Sequence, residues 1–319
     1  MTAVPSSPFL RSPVFVTTLA VAQMVGFFAL AGCATSLPAT GEGSSIHSVR
    51  IVRVVAAENF WGSIVAQLGG THARVVSIID NPNTDPHAYE PTAADARVLA
   101  DAQLAVQNGA GYDPWMPRLL AADGGSRTVL DVGSLVGVAP GGNPHLWYDS
   151  SYVEQFITTA TDDLVRADPA DGAYFMARRT AYEQVGLAGY HAALLRIRAR
   201  YAGTPVGASE SIVAYLCRSV GLDLVSPPTF LRAVSEGTDV SAVDMATIAR
   251  QIQTRAIAVY VENTQNLTPN VQAQVSAARA AGIPRTAVTE TLEPATTTFQ
   301  AWQTAQLDSL YAALEKSRG

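Results

Sequence analysis

Eight short runs rich in valine, isoleucine and other apolar residues recur between residues 51 and 288, and helical patterns separate nearly all of them. The first four predict strands over 51–56, 73–79, 104–107 and 128–132, with helices over 58–68, 92–100 and 114–121. A second set predicts strands over 205–208, 222–225, 257–261 and 286–288, with helices near 211–220, 241–254, 269–281 and 299–316. Strands joined through helices imply parallel sheets covered by those helices, because parallel neighbours need a crossover connection. A chain of 319 residues can bury two separate cores. The expected fold class is therefore α/β, with two lobes, each a four-stranded, mainly parallel sheet flanked by helices.

Between the two sets, residues 170–201 contain no proline and few glycines, and Tyr174, Tyr182, Val185, Leu194, Leu195 and Ile197 recur at roughly helical intervals. The pattern predicts one long rigid helix joining the lobes, which restricts their relative motion more than a pair of flexible crossovers would. Local boundaries have recognisable causes. Ser241 with Asp244 three residues on resembles a capping box, Thr268 precedes Pro269, Thr92 follows Pro91, and Gly69-Gly70, Gly221 and Gly282 stop helices.

The N-terminus reads as a targeting segment. Arg11 precedes an apolar stretch from Val14 to Leu30, which ends in Leu30-Ala31-Gly32-Cys33. Small residues ahead of a cysteine suit signal processing and lipidation of the thiol, whereas a spanning helix has no need of them. The domain parse is a lipoprotein signal peptide over 1–32, with Cys33 lipidated. A flexible tether over 33–48, an N-terminal lobe over 49–168, a linking helix over 169–202 and a C-terminal lobe over 203–319 complete it. A total of 21 basic against 27 acidic residues, with no basic run, excludes nucleic acid as an electrostatic partner. The two cysteines, Cys33 and Cys217, form neither a disulfide framework nor a C-x-x-C metal motif. A metal site in this chain has to use nitrogen and oxygen.

Five histidines are available. His47 in the tether, His72 in a turn and His191 among arginines on the long helix read as solvated or half-buried polar side chains. His87 and His145 differ, because each directly follows a proline on a loop and has aromatic neighbours, in Asp85-Pro86-His87-Ala88-Tyr89-Glu90-Pro91 and Asn143-Pro144-His145-Leu146-Trp147. The proline stiffens the backbone that presents the imidazole.

These two motifs, together with Asn81-Pro82-Asn83 and Asn108-Gly109-Ala110-Gly111-Tyr112-Asp113-Pro114-Trp115, resemble the zinc and manganese solute-binding proteins of bacterial ABC importers. Ala57-Glu58-Asn59-Phe60-Trp61-Gly62 and Val261-Glu262-Asn263 share the likeness, which extends over almost the whole chain from Val49. The resemblance implies a site of four side chains, two per lobe: His87 and His145, then Glu210 in Ala208-Ser209-Glu210-Ser211, then Glu290 where the family usually has aspartate. His87, Glu210 and Glu290 each fall just beyond a predicted strand, where open α/β sheets bind ligands. For Glu210, interaction with the dipole of the helix that follows is an alternative role.

Two imidazoles and two carboxylates would neutralise a divalent ion, and replacing a third histidine with oxygen shifts preference toward manganese over zinc, with ferrous iron also suited. The implied cargo is one such ion, and the implied partner is an ABC importer permease at the outer face of the cell membrane. The protein would be a monomer held by its lipid and would not be an enzyme. A metal-dependent hydrolase and a metal-independent surface adhesin are the rival readings. The hydrolase would keep an open coordination position beside a general base. The adhesin would need no metal ligand.

The lipobox reading generates a direct test. Cys33→Ala is expected to release the protein from the membrane fraction, and intact-mass analysis of the mature wild type is expected to begin at a lipidated Cys33. Retention of residues 1–32 or an unmodified thiol would overturn it.

Overall fold

The computed structural model of the protein describes residues 50–318, so the signal peptide, tether, His47 and Cys33 lie outside the described residues. The N-terminal half runs β1 (Val52–Glu58), α1 (Asn59–Gly69), β2 (Ala73–Ile79), α2 (Ala93–Ala100), β3 (Leu104–Gln107), α3 (Trp115–Asp123), β4 (Thr128–Asp131), α4 (Val132–Val136) and α5 (Ser150–Ala167). Next come α6 (Gly172–Ala181) and α7 (Ala188–Tyr201). The C-terminal half runs β5 (Pro205–Ala208), α8 (Ala214–Val220), β6 (Asp223–Leu224), α9 (Pro228–Ser235), α10 (Ala242–Gln253), β7 (Val259–Asn263), α11 (Pro269–Ala280), β8 (Arg285–Val288) and α12 (Phe299–Lys316). The strands form two four-stranded sheets in the orders β2-β1-β3-β4 and β6-β5-β7-β8. Every pairing is parallel. This is the expected α/β fold of two lobes.

Two strands run further than their apolar residues predict. β1 continues to Glu58, paired with Ile79, and β7 continues to Asn263, paired with Val288. Reading a strand to its last apolar residue stops short at both, because each ends on a polar group that is fully buried. The caps act as their sequences imply. Thr92 and Asp95 form a reciprocal capping box, while Ser241 and Thr268 accept the backbone N–H of Asp244 and Val271.

α5 is absent from the sequence reading. Its threonines and aspartates are weak helix formers that obscure an apolar face of Val153, Phe156, Ile157, Ala160 and Leu164. Burial of that face and the Asp149 cap, which accepts from the backbone of Ser151 and Tyr152, stabilise the helix. Phe156 packs on Trp61 of α1 with ring centroids 4.4 Å apart.

The connection between lobes is helical from Gly172 to Tyr201 but not uniform. A π turn spans Tyr182–Gly186, closed by the Leu187 N–H donating to the Tyr182 carbonyl at 2.8 Å. α6 packs on α1 and α5 of the first lobe, and α7 on α8 and α12 of the second. A seam beside this helix joins the lobes directly. The side-chain amides of Gln67 and Gln300 exchange hydrogen bonds of 2.9 and 2.6 Å, and the Phe299 N–H donates to Ser63 Oγ at 2.9 Å. Leu292 N–H donates to Asn59 Oδ1, and Tyr148 Oη lies 2.9 Å from both the Thr289 carbonyl and Gln306 Oε1.

Phe156→Ala leaves a cavity between α1 and α5 and is expected to cost about 3–5 kcal/mol in urea unfolding. Leu195→Ala, at a site 66% exposed on α7, is expected to stay within about 0.5 kcal/mol of wild type. Equal losses in the two variants would contradict the packing described here.

Candidate metal centre

Strand order places the site. Each sheet reverses direction of growth at its middle, between β1 and β3 and between β5 and β7, and a crevice opens beyond the strand ends at such a point. Glu58 ends β1, Asn108 follows β3, Asn263 ends β7, and Glu210 and Glu290 lie in the loops after β5 and β8. The crevice between the sheets has a volume of about 1420 Å³ and is lined by His87, Asn143, Ser211, Gln265, Asn266 and Glu290 among others.

Glu290 belongs to that lining, and His145, Glu210 and Glu290 each offer a ligand atom, all within 4.8 Å of one another. His145 and Glu210 are buried. Glu290 is half-buried as a residue, although its carboxylate is enclosed with the other two groups. His87 stands outside this trio. It is exposed on the rim, with its ring edge-on to Tyr112 at 4.7 Å between centroids. The cause is the loop after β2, where Thr84 N–H closes a turn onto the Asn81 carbonyl and Asp85 Oδ1 accepts the His87 N–H. Trp115 Nε1 pins the Pro86 carbonyl beneath it at 3.2 Å. Of the four residues expected from the sequence, the structure therefore gathers three and leaves His87 at the mouth.

His145 is held in one tautomer. Its Nδ1 lies 2.7 Å from Asn143 Oδ1, which also accepts the His145 backbone N–H, while Asn143 Nδ2 donates to the Ser211 carbonyl at 2.8 Å. The Asn143 oxygen is thus fixed as acceptor, so Nδ1 carries the proton and Nε2 keeps its lone pair. Burial, aided by the nearby His87, lowers the imidazole pKa to about 3. The ring stays neutral and able to ligate.

The two carboxylates share donors. Asn263 Nδ2 donates to Glu210 Oε1 at 2.6 Å and to Glu290 Oε1 at 2.8 Å. Asn266 Nδ2 donates to Glu210 Oε2 at 2.7 Å, and Tyr112 Oη to Glu290 Oε2 at 2.9 Å. Burial raises both carboxyl pKa values, and Glu290 adds like charge at Glu210, while the amides and the phenol pull the other way. Glu210 precedes the turn before α8 without capping it, so its side chain serves the crevice instead.

Behind the trio stands a second carboxyl pair. Glu58 is fully buried, and neither of its carboxyl oxygens has a hydrogen-bond partner. Asp113 accepts the backbone N–H groups of Asn108 and Gly109 at 2.7 and 2.9 Å. A buried carboxyl without a partner favours its protonated form, because the charged form is the costlier one to desolvate. Burial drives the Glu58 pKa well up, with Asp113 adding to it, and raises Asp113 to about 6. Phe60, stacked on Trp147 at 4.1 Å, and Tyr112, edge-on to Trp147 at 5.0 Å, wall this region from water. Asn143, Asn263, Asn266, Tyr112, Glu58 and Asp113 received no role from the sequence, though all but Asn266 fall within its motifs. For Glu58 and Asn263 the signal was a polar residue at a strand end.

The family model of ZnuA, the periplasmic zinc-uptake complex component A, matches residues 54–313. The chain belongs to this family. Among curated relatives, the manganese-binding lipoprotein MntA of Halalkalibacterium halodurans is 28% identical over 162 residues, covering 48% of this chain and 51% of MntA. The zinc-binding protein TroA of Treponema pallidum is 26% identical over 198 residues, covering 57% of this chain and 61% of TroA. The matched region thus spans between 51% and 61% of those relatives. The solved structure of the periplasmic zinc-binding protein TroA superposes with a TM-score of 0.69 at 23% identity, over 82% of this chain and 99% of that one. A periplasmic metal-binding protein from Candidatus Liberibacter asiaticus gives 0.69 at 17% identity, with the same coverages. At these identities the superpositions establish the shared family fold.

The Glu58–Asp113 pair sets a pH dependence. Both pKa values are raised on folding, so the stabilisation is complete below the unfolded carboxyl values and is lost as pH rises through the folded ones, from about 6 upward. Glu58→Gln keeps a neutral donor of the same shape. In the metal-free protein it is expected to match wild type near pH 5 and to gain on it in alkali, by at most about 1.4 kcal/mol per pH unit. A stability difference that does not change with pH would show that Glu58 holds no proton.

Proposed function

We propose that this chain is an extracytoplasmic solute-binding protein that captures one divalent transition-metal ion and passes it to the permease of an ABC importer. The observation that carries the reading is the convergence of a neutral, tautomer-fixed His145 with the carboxylates of Glu210 and Glu290 in a buried corner of the crevice. Two negative charges there match a divalent ion, which removes the cost of holding both anions out of water. We assign His145, Glu210 and Glu290 as ligands. His87, at the mouth beside Tyr112, is proposed as the fourth. Membership of the family and the likeness to relatives named for manganese, zinc and iron binding support the cargo class.

Manganese is favoured over zinc on donor chemistry, because a carboxylate oxygen stands where a third histidine would lean the site toward zinc, and ferrous iron is suited for the same reason. Around the carboxylates stand amides and a phenol that donate hydrogen bonds, an arrangement that holds ligands in place and supports binding over hydrolysis. The envelope assignment is a signal peptide over 1–32, a lipid on Cys33, a tether over 33–48 and lobes over 49–168 and 203–319 joined by 169–202. The protein acts as a monomer on the outer face of the cell membrane.

Metal analysis of protein purified without chelator or affinity tag, followed by titration calorimetry with manganese and zinc, tests the reading. Wild type is expected to bind one ion and to gain thermal stability from it by mass action. Glu210→Gln and Glu290→Gln each remove one charge while keeping shape. Each is expected to weaken binding by more than the roughly 10- to 100-fold typical of losing a residue that only supports a ligand. Glu290→Gln binding both metals as tightly as wild type would remove Glu290 from the site. Unchanged binding in both variants would overturn the reading.

A further inference from the structure

β7 is an inner strand of the second sheet, lying between β5 and β8. Its last residue, Asn263, therefore emerges between the two loops that carry Glu210 and Glu290. Asn263 is fully buried, and both ends of its amide are committed. Oδ1 accepts the Gln265 backbone N–H at 2.9 Å, which fixes the orientation, and the two hydrogens on Nδ2 go one to each carboxylate. A flipped amide would set its oxygen against two anions. The backbone N–H of Asn263 donates to Ser209 Oγ at 3.0 Å, tying the strand end to the residue before Glu210.

Resting on the assignment of Glu210 and Glu290 as ligands, we infer that Asn263 is a positioning residue that sets metal selectivity by restricting each carboxylate to one metal-binding oxygen. Each carboxylate has one oxygen tied to Asn263 and the other engaged by Asn266 or Tyr112. A carboxylate oxygen can accept a second partner, so an ion can share one of these atoms. Chelation through both oxygens makes the oxygen bonded to Asn263 share its lone pairs with the ion, in competition with that bond. Asn263 thereby lowers the number of oxygens offered to the ion. Zinc is satisfied by four ligands, whereas manganese suits oxygen-rich, six-coordinate surroundings. The amide biases the site toward zinc against the general preference of its donor set, and removing it shifts the balance toward manganese.

The test uses the full chain with zinc and manganese as probes, in wild type, Asn263→Ala, Asn263→Ser and Glu210→Gln. Asn263→Ala is expected to lower the zinc-to-manganese affinity ratio at least tenfold in competition titrations. X-ray absorption of the manganese-loaded variant is expected to show an added oxygen around the ion. Asn263→Ser has one hydrogen where the amide has two, so it can hold only one carboxylate, and its ratio is expected to lie between the others. It also supplies the decisive measurement if the alanine variant does not fold. An unchanged ratio and oxygen shell in the folded variants, with binding lost in Glu210→Gln, overturns the selectivity role and leaves the metal site standing. Wild-type binding in Glu210→Gln overturns the site and this inference together.

Discussion

Two carboxylates side by side in a dry pocket repel each other, and at 4 Å the repulsion is about 4 kcal/mol even when screened by an effective dielectric of 20. Most of what surrounds the crevice answers that constraint. Glu210 and Glu290 come from loops after strands of the same sheet, so the fold forces them together, and it supplies an amide from the strand between them and donors on either side. Under the proposed function, a divalent ion would complete what these neutral donors begin. On the proposed reading, the ion supplies the charge that the two carboxylates call for, at one corner of a crevice of about 1420 Å³.

His145 belongs to the other half of the molecule, so the trio exists only because the halves are held in a fixed relation. Asn143 works on both sides at once, orienting His145 and donating to the Ser211 carbonyl beside Glu210. Tyr112 does the same from the first lobe, reaching Glu290 in the second. The seam of glutamine, serine and asparagine contacts acts at a greater distance from the site to the same end. All four expected ligands lie on loops, and His87 alone stands away from the rest.

The alternation of strand and helix was legible in the sequence because a parallel sheet buries both faces and its strands are short and apolar. Ala73–Ile79, Leu104–Gln107 and Pro205–Ala208 have the predicted limits. What hydrophobic patterning could not reach were the polar ends, Glu58 and Asn263, where the strand continues on backbone pairing after the apolar side chains stop. Those ends carry the buried Glu58 carboxyl and the amide between the carboxylates. His145, Glu210 and Glu290 could be named from their motifs, but their partners could not, since the hydrogen bonds of Asn263 and Tyr112 join residues 27 to 178 positions apart. α5 was hidden for a different reason, its helix being stabilised by tertiary burial more than by propensity.

The π turn at Tyr182–Gly186 bears on how the lobes are aimed. Each residue of an α-helix advances the chain by about 100° around the axis, so the surplus residue of a π turn rotates everything after it by that amount. It works as an angular spacer. α6 meets α1 and α5 with one face and α7 meets α8 and α12 with another, and the count of residues between them determines which way the second half looks. The facing of His145 toward Glu210 and Glu290 is therefore encoded partly in a number, and the smallest edit able to misdirect it is the loss of a single residue from a helix that touches none of the three.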